Sequence, residues 1–177
     1  MLGRTALVGL AALATACSSG YSSGVEGSKP VSTLSASEAA LACENLADYL
    51  VASFPQSEQD RFACTVRALL DVTLDPAGCR SAVTACLVEP PSAGFDFGSI
   101  DCTGATADPT CTATVAATEA CVTAEVQAYQ DRLAQVDCAI AGNVPALQAL
   151  EAPVPVPTAC SNLGTSCPDM ADGIIPR

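Results

Sequence analysis

Apolar residues recur at helical intervals over most of this chain. Ala39, Cys43, Leu46 and Leu50 follow one another at spacings of four, three and four, one face of an α-helix. Just upstream, Ser35 stands three residues before Glu38, the capping-box arrangement in which hydroxyl and carboxylate each satisfy one orphan amide. Phe54-Pro55 ends that helix, because a residue before proline is pushed out of the helical region. Ser57-Glu58-Gln59-Asp60 can cap a second helix with Phe62, Val66, Leu69 and Thr73 as its stripe. Cys64 falls off that stripe, so it is expected to tie down a loop or a neighbouring element. Asp75-Pro76 opens a third helix, with proline in the first turn where its missing N–H costs nothing, and Pro90-Pro91 bounds it. The longest helix is expected from about 112 to 139. Its seam of Val122, Val126, Tyr129, Leu133, Val136 and Ile140 repeats at intervals of four and three. Glu119, Glu125 and Asp131 then belong to its exposed face. Ala141-Gly142-Asn143 is a stop, a short helical turn follows around 146–150, and Pro153, Pro155 and Pro157 impose an extended segment. The fold class predicted is all-α, a small bundle of about four helices.

The N-terminus has a different pattern. One positive charge, Arg4, precedes an apolar run over 5–16 that ends in small residues. A spanning helix needs about 20 apolar residues, so this run is too short for one and has the proportions of a secretory signal peptide. The junction Leu13-Ala14-Thr15-Ala16-Cys17 resembles the lipobox of bacterial lipoproteins, with Ala14 where such sites most often have Leu. The resemblance implies cleavage before Cys17 and a diacylglyceryl anchor on its thiol. With Ser18 following, it also implies delivery to the outer membrane. The alternative is ordinary signal peptidase, which accepts Ala14-Thr15-Ala16 and would cut the same bond without adding lipid. Residues 18–34 are rich in Ser and Gly without apolar periodicity. They read as a flexible tether with an r.m.s. span of about 20–25 Å. The domain plan is therefore a signal peptide at 1–16, lipidated Cys17 and tether at 17–34, a helical cysteine-rich domain at 35–150, and a Pro-rich extended segment with a disulfide-pinned tail at 151–177.

Cysteine changes the picture most. Eleven are present, and removing Cys17 leaves ten, an even number: Cys43, Cys64, Cys79, Cys86, Cys102, Cys111, Cys121, Cys138, Cys160 and Cys167. No two are separated by only two residues, so zinc ribbons, iron–sulfur runs and thioredoxin-like sites lack their usual spacing. Even distribution through an exported chain is the pattern of structural disulfides. Two pairings are excluded by helix geometry: Cys79 and Cys86 lie about 10 Å apart on one helix, and Cys121 and Cys138 about 25 Å. A local loop between Cys160 and Cys167 is allowed. Parity also favours the lipobox, since an unlipidated Cys17 would be an odd thiol. Saposins and plant lipid-transfer proteins are likewise helical and cysteine-rich, but their adjacent or closely spaced cysteines have no counterpart here.

Composition removes further classes. With no His there is no Ser-His-Asp or Cys-His nucleophile and no His-ligated zinc. Nineteen acidic residues against seven basic ones give a net charge of −12, and loss of Arg4 with the signal peptide leaves −13. Such a chain has no electrostatic affinity for nucleic acid and is repelled by anionic headgroups, so attachment to the bilayer falls to the acyl chains. The candidate binding surface is the irregular stretch over 89–110, which holds Phe95, Asp96, Phe97, Asp101 and Asp108. Two aromatics flanking a carboxylate can bind a partner; equally, the Phe pair can cap one end of an aromatic-poor bundle. The three aspartates do not match the EF-hand spacing, and no metal or cofactor is expected. The function expected is a membrane-anchored, non-catalytic envelope module for binding or interaction. The alternatives are a carboxylate-dependent envelope hydrolase and a carrier of a small apolar ligand held between helices.

Overall fold

The computed structural model describes residues 20–71, 73, 75–91 and 99–168. Among them the regular structure is helical, as expected: α1 (Ala36–Ser53), α2 (Gln56–Leu69), α3 (Pro76–Cys86), α4 (Val115–Gln135), α5 (Val144–Leu150), α6 (Thr158–Ser161) and α7 (Leu163–Ser166). The signal peptide, Cys17 and residues 169–177 lie outside the described residues. No helix among those described is long and apolar enough to cross a membrane.

Local chemistry accounts for the helix ends. Ser35 and Glu38 form the capping box of α1 in both directions. The carbonyls at the other end of that helix are taken up from outside, Gln59 Nε2 donating to Phe54 O at 2.7 Å and Gln130 Nε2 to Ser53 O at 3.0 Å. Asp75 caps α3 through Gly78 N, with Pro76 in the first turn. The start of α2 differs from expectation: Pro55 occupies the N-cap and Ser57 makes no cap. The long helix is also shorter than its seam suggests. It ends at Gln135, and Val136 and Ile140 lie beyond it around a 3₁₀ turn, Cys138–Ile140, capped by Asp137.

Three apolar clusters divide the interior. One joins α1 to α4 through Leu50, Phe54, Val122 and Val126. A second packs Cys64, Ala68, Leu69, Cys79, Val83 and Cys138 between α2, α3 and the 3₁₀ turn. The third gathers Val31, Cys111, Ala113, Val115 and Leu163 around two bridges. Cys64 ties down a neighbouring element as expected, bridging α2 to Cys86 of α3. The stripe expected for α2 is displaced, however: its inward face is Cys64, Thr65, Ala68 and Leu69, while Phe62 and Val66 are only half-buried. Glu125 is not on an exposed face: it is 2% exposed, one turn from Cys121 on the inner side of α4.

All ten body cysteines pair: Cys43–Cys102, Cys64–Cys86, Cys79–Cys138, Cys111–Cys167 and Cys121–Cys160. Neither excluded helix-internal pair occurs, and Cys160 and Cys167 go to different partners instead of closing a loop on each other. Each bridge closes a loop of 22 to 59 residues, so each removes much conformational freedom from the unfolded chain, about 2–4 kcal/mol by the loop-entropy account.

The largest departure is the expected tether. Residues 20–34 do not form a free coil; they lie in a groove between α1 and α4. Exposure alternates along them, with Tyr21, Ser23 and Val31 buried and Ser22, Gly24 and Pro30 exposed. This is the two-residue period of an extended strand. The backbone pairs antiparallel with the start of α4: Val31 N donates to Ala113 O, Val115 N to Lys29 O and Ala116 N to Gly27 O, each at 2.9 Å. The backbone approaches α4 closely at Gly20, where a Cβ would sit 3.0 Å from Thr123 Oγ1. Lys29 Nζ then reaches both oxygens of Glu38 at 2.6 Å, fastening the segment to the head of α1. Lys29, with help from the Ser35 amide and hydroxyl, holds the Glu38 carboxyl down at about 2.

Two predictions follow from this packing. Gly24 has φ +75°, and a Cβ there would meet Asn45 Nδ2 at 2.8 Å. Gly24→Ala is expected to lose about 1–2 kcal/mol in chemical denaturation, with exposed Ser22→Ala near zero as the control. Full reduction is expected to abolish cooperative melting, because the apolar clusters contain few large side chains; an unchanged melting curve in reductant would show that the bridges contribute little.

Candidate functional site

The seated segment roofs a cavity of about 230 Å³. Its floor is α1, with Ala39, Ala42, Cys43 and Leu46, and α4, with Val115, Thr118, Glu119 and Val122; Tyr21, Ser23, Val31 and Leu34 close one side and Thr106, Ala107 and Asp108 the other. The walls are mostly apolar. Two carboxylates and one phenol interrupt them.

Ser23 organises the first of these groups. Its backbone N–H and its hydroxyl both donate to Glu119 Oε1, at 2.6 and 2.7 Å, while its carbonyl accepts from Asn45 Nδ2 at 2.8 Å. One small buried residue thereby locks α1, α4 and the N-terminal segment together. Tyr21 lies next to it, its N–H donating to Thr123 Oγ1 at 2.9 Å and its hydroxyl to Ala42 O at 2.8 Å. Its ring meets that of Tyr49 with centroids 5.6 Å apart. Burial, reinforced by the Glu119 charge, pushes the Tyr21 phenol up to about 12.

Asp108 enters from the opposite wall. Its Oδ1 accepts from Thr110 N at 2.8 Å and Thr110 Oγ1 at 2.6 Å. These bonds, with that of the hydroxyl the stronger, hold the carboxyl below its ordinary range. The Cys111 backbone N–H lowers it further. The loop carrying Asp108 is pinned on both sides, by Cys102 to α1 and by Cys111 to Cys167 beyond α7.

The other members of the expected binding loop fare differently. Phe95, Asp96 and Phe97 lie outside the described residues. Asp101 is exposed beside Glu44 and Asp48 of α1, its carboxyl held down by Thr103, and lines an open acidic rim instead of the cavity. The structure therefore separates Asp101 from Asp108. The functional residues missed by sequence reasoning are Tyr21, Ser23 and Glu119. The available signal was the alternation of Tyr21, Ser23, Val25 and Val31 with polar or small residues.

One further cluster has metal-ligating residue types. Cys121, Glu125 and Cys160 bring their ligand atoms within 4.8 Å of one another and all three are buried. The two sulfurs are joined to each other, so they offer no thiolate, and a lone carboxylate does not make a metal site. Comparison of the chain with family models, characterised proteins and solved structures gives no match.

Tyr21 gives the cavity a titratable reporter. A raised phenol pKa means that the fold favours neutral Tyr21. That contribution is complete below the ordinary value of 10.0 and is lost as pH rises through about 12. The difference between the phenolate absorbance of the native chain and that of Tyr21→Phe is therefore expected to show one tyrosine ionising near 12 or only with unfolding. A Tyr21 contribution to that difference already appearing near 10 would place its phenol in water.

Proposed function

We propose that this chain is an exported lipoprotein of the bacterial cell envelope, anchored through acylated Cys17 and bound for the outer membrane, whose body is a non-catalytic binding module. The observation that carries the proposal is cysteine pairing. The ten body cysteines close into five bridges among themselves, which leaves Cys17 as the one cysteine with no sulfur to pair with. A thiol destined for thioether linkage to lipid has to be left over in this way, and the lipobox-like Leu13-Ala14-Thr15-Ala16 stands directly before it.

The seated N-terminal segment changes how such an anchor would work. Between Cys17 and Gly20 there are only Ser18 and Ser19, a reach of at most about 10 Å when fully extended. Gly20 is already against Thr123 of α4. Lipid on Cys17 would hold the body close to the bilayer, not at the end of a long tether.

The non-catalytic part is supported by the carboxylates of the cavity. A general acid needs a pKa raised toward neutrality, whereas hydrogen bonding from Thr110 moves Asp108 the other way. Glu119 Oε1 is occupied by two donors from Ser23. The Thr110 bonds thereby arrange Asp108 to remain an ionised acceptor, a property suited to binding.

Cys17→Ser tests the anchor. The native chain is expected to fractionate with membranes and to carry a diacylglyceryl mass increment, and the variant is expected in the soluble fraction with its five bridges intact. Membrane attachment unchanged by the substitution would overturn the lipoprotein assignment.

A further inference from the structure

The polar groups around the cavity under the N-terminal segment are turned to the protein. The Tyr21 hydroxyl donates to Ala42 O, that of Ser23 to Glu119 Oε1 and that of Thr118 to Thr114 O. Thr106, the remaining hydroxyl of the lining, is exposed to water. The two carboxylates are engaged as well. Glu119 Oε1 accepts the amide and hydroxyl of Ser23, and Asp108 Oδ1 accepts those of Thr110. No Lys or Arg among the described residues lines the cavity. An anionic ligand would therefore meet two negative charges and no cation. A polar or charged one of either sign would give up its water for groups already bonded within the protein.

What the cavity does offer is apolar contact. Its walls include Ala39, Ala42, Leu46, Val115 and Val122, and Val31 and Leu34 of the seated segment add to them from the other side. An apolar cavity of about 150 Å³ accommodates benzene; the space here is about 230 Å³, enough for a ring with a short substituent. Water in such a space finds few partners, and an apolar group that displaces it gains affinity. We propose that the cavity binds an uncharged, apolar molecule about the size of a substituted phenyl ring, its body lying against α1 and α4 beneath the N-terminal segment. The site rests on the binding-module part of the proposed function and supplies its ligand class; it does not depend on the anchor.

The experiment is titration of the full oxidised chain, solubilised from its membrane, with ethylbenzene and its charged isosteres phenylpropionate and phenethylammonium, followed by methyl NMR. Saturable shifts of the Leu46, Val115 and Val122 methyls are expected with ethylbenzene, together with nuclear Overhauser contacts from its protons to those methyls. Both charged isosteres are expected to bind at least about ten-fold more weakly. Ala42→Leu fills the cavity from α1 and Thr118→Leu fills it from α4, and each is expected to abolish the saturable shifts. Partition into detergent is the same for the native and filled chains, so the difference between them reads the cavity. No saturable shift in the native chain, equal or tighter binding of either isostere, or undiminished binding by a folded filled variant would each overturn the proposal. If neither variant folds, the Overhauser contacts in the native chain decide alone. Failure of the non-catalytic reading shows separately, as hydrolysis of an ester or glycoside by the native chain, and release from membranes by Cys17→Ser does not bear on the cavity.

Discussion

Five covalent cross-links are the constraint on which the rest of this structure depends. The interior is built largely from alanine, valine and cysteine, with no tryptophan and seven other aromatic residues in the whole chain. Such clusters bury little apolar area per residue, and burial scales with area. Four of the five bridges fasten short or irregular elements. Cys121–Cys160 and Cys111–Cys167 hold two four-residue helices that have no stability of their own. Cys79–Cys138 ties α3 to a single 3₁₀ turn, and Cys43–Cys102 fixes an irregular loop against α1. In an oxidising compartment this arrangement replaces a large core.

What could be read from sequence was whatever local chemistry decides. Ser35 with Glu38, and Asp75 with Pro76, mark helix starts because capping is an interaction within one turn, and both stand where expected. The pairing of the body cysteines was legible from parity, but its map was not, since it depends on which helices meet. Long-range choices defeated the pattern elsewhere. Residues 20–34 have the composition of a linker, and composition hid the alternation of Tyr21, Ser23 and Val31. Glu125 looked like a surface residue because a carboxylate is ordinarily solvated, yet α6 covers that side of α4 through the Cys121–Cys160 bridge. Of the candidate binding residues, Asp108 lines the cavity and Asp101 does not; Asp108 lies between the bridged Cys102 and Cys111, and Asp101 precedes them.

The seated segment unites anchor and site. The same residues that would join the lipid at Cys17 to the body also roof the cavity, through Tyr21, Ser23 and Val31. Ser23 joins that stretch to both α1 and α4, so under the proposed anchor the attachment and the shape of the cavity would depend on one stretch of chain.

The central claim is that the ten body cysteines are all consumed in bridges, which leaves Cys17 alone for lipid. Peptide mapping by mass spectrometry, on chain taken from its membrane and alkylated without reduction, tests it directly. The account predicts cross-linked peptides for Cys43–Cys102, Cys64–Cys86, Cys79–Cys138, Cys111–Cys167 and Cys121–Cys160, with no alkylated body thiol. A bridge to Cys17, or an alkylated cysteine within the body, would contradict it.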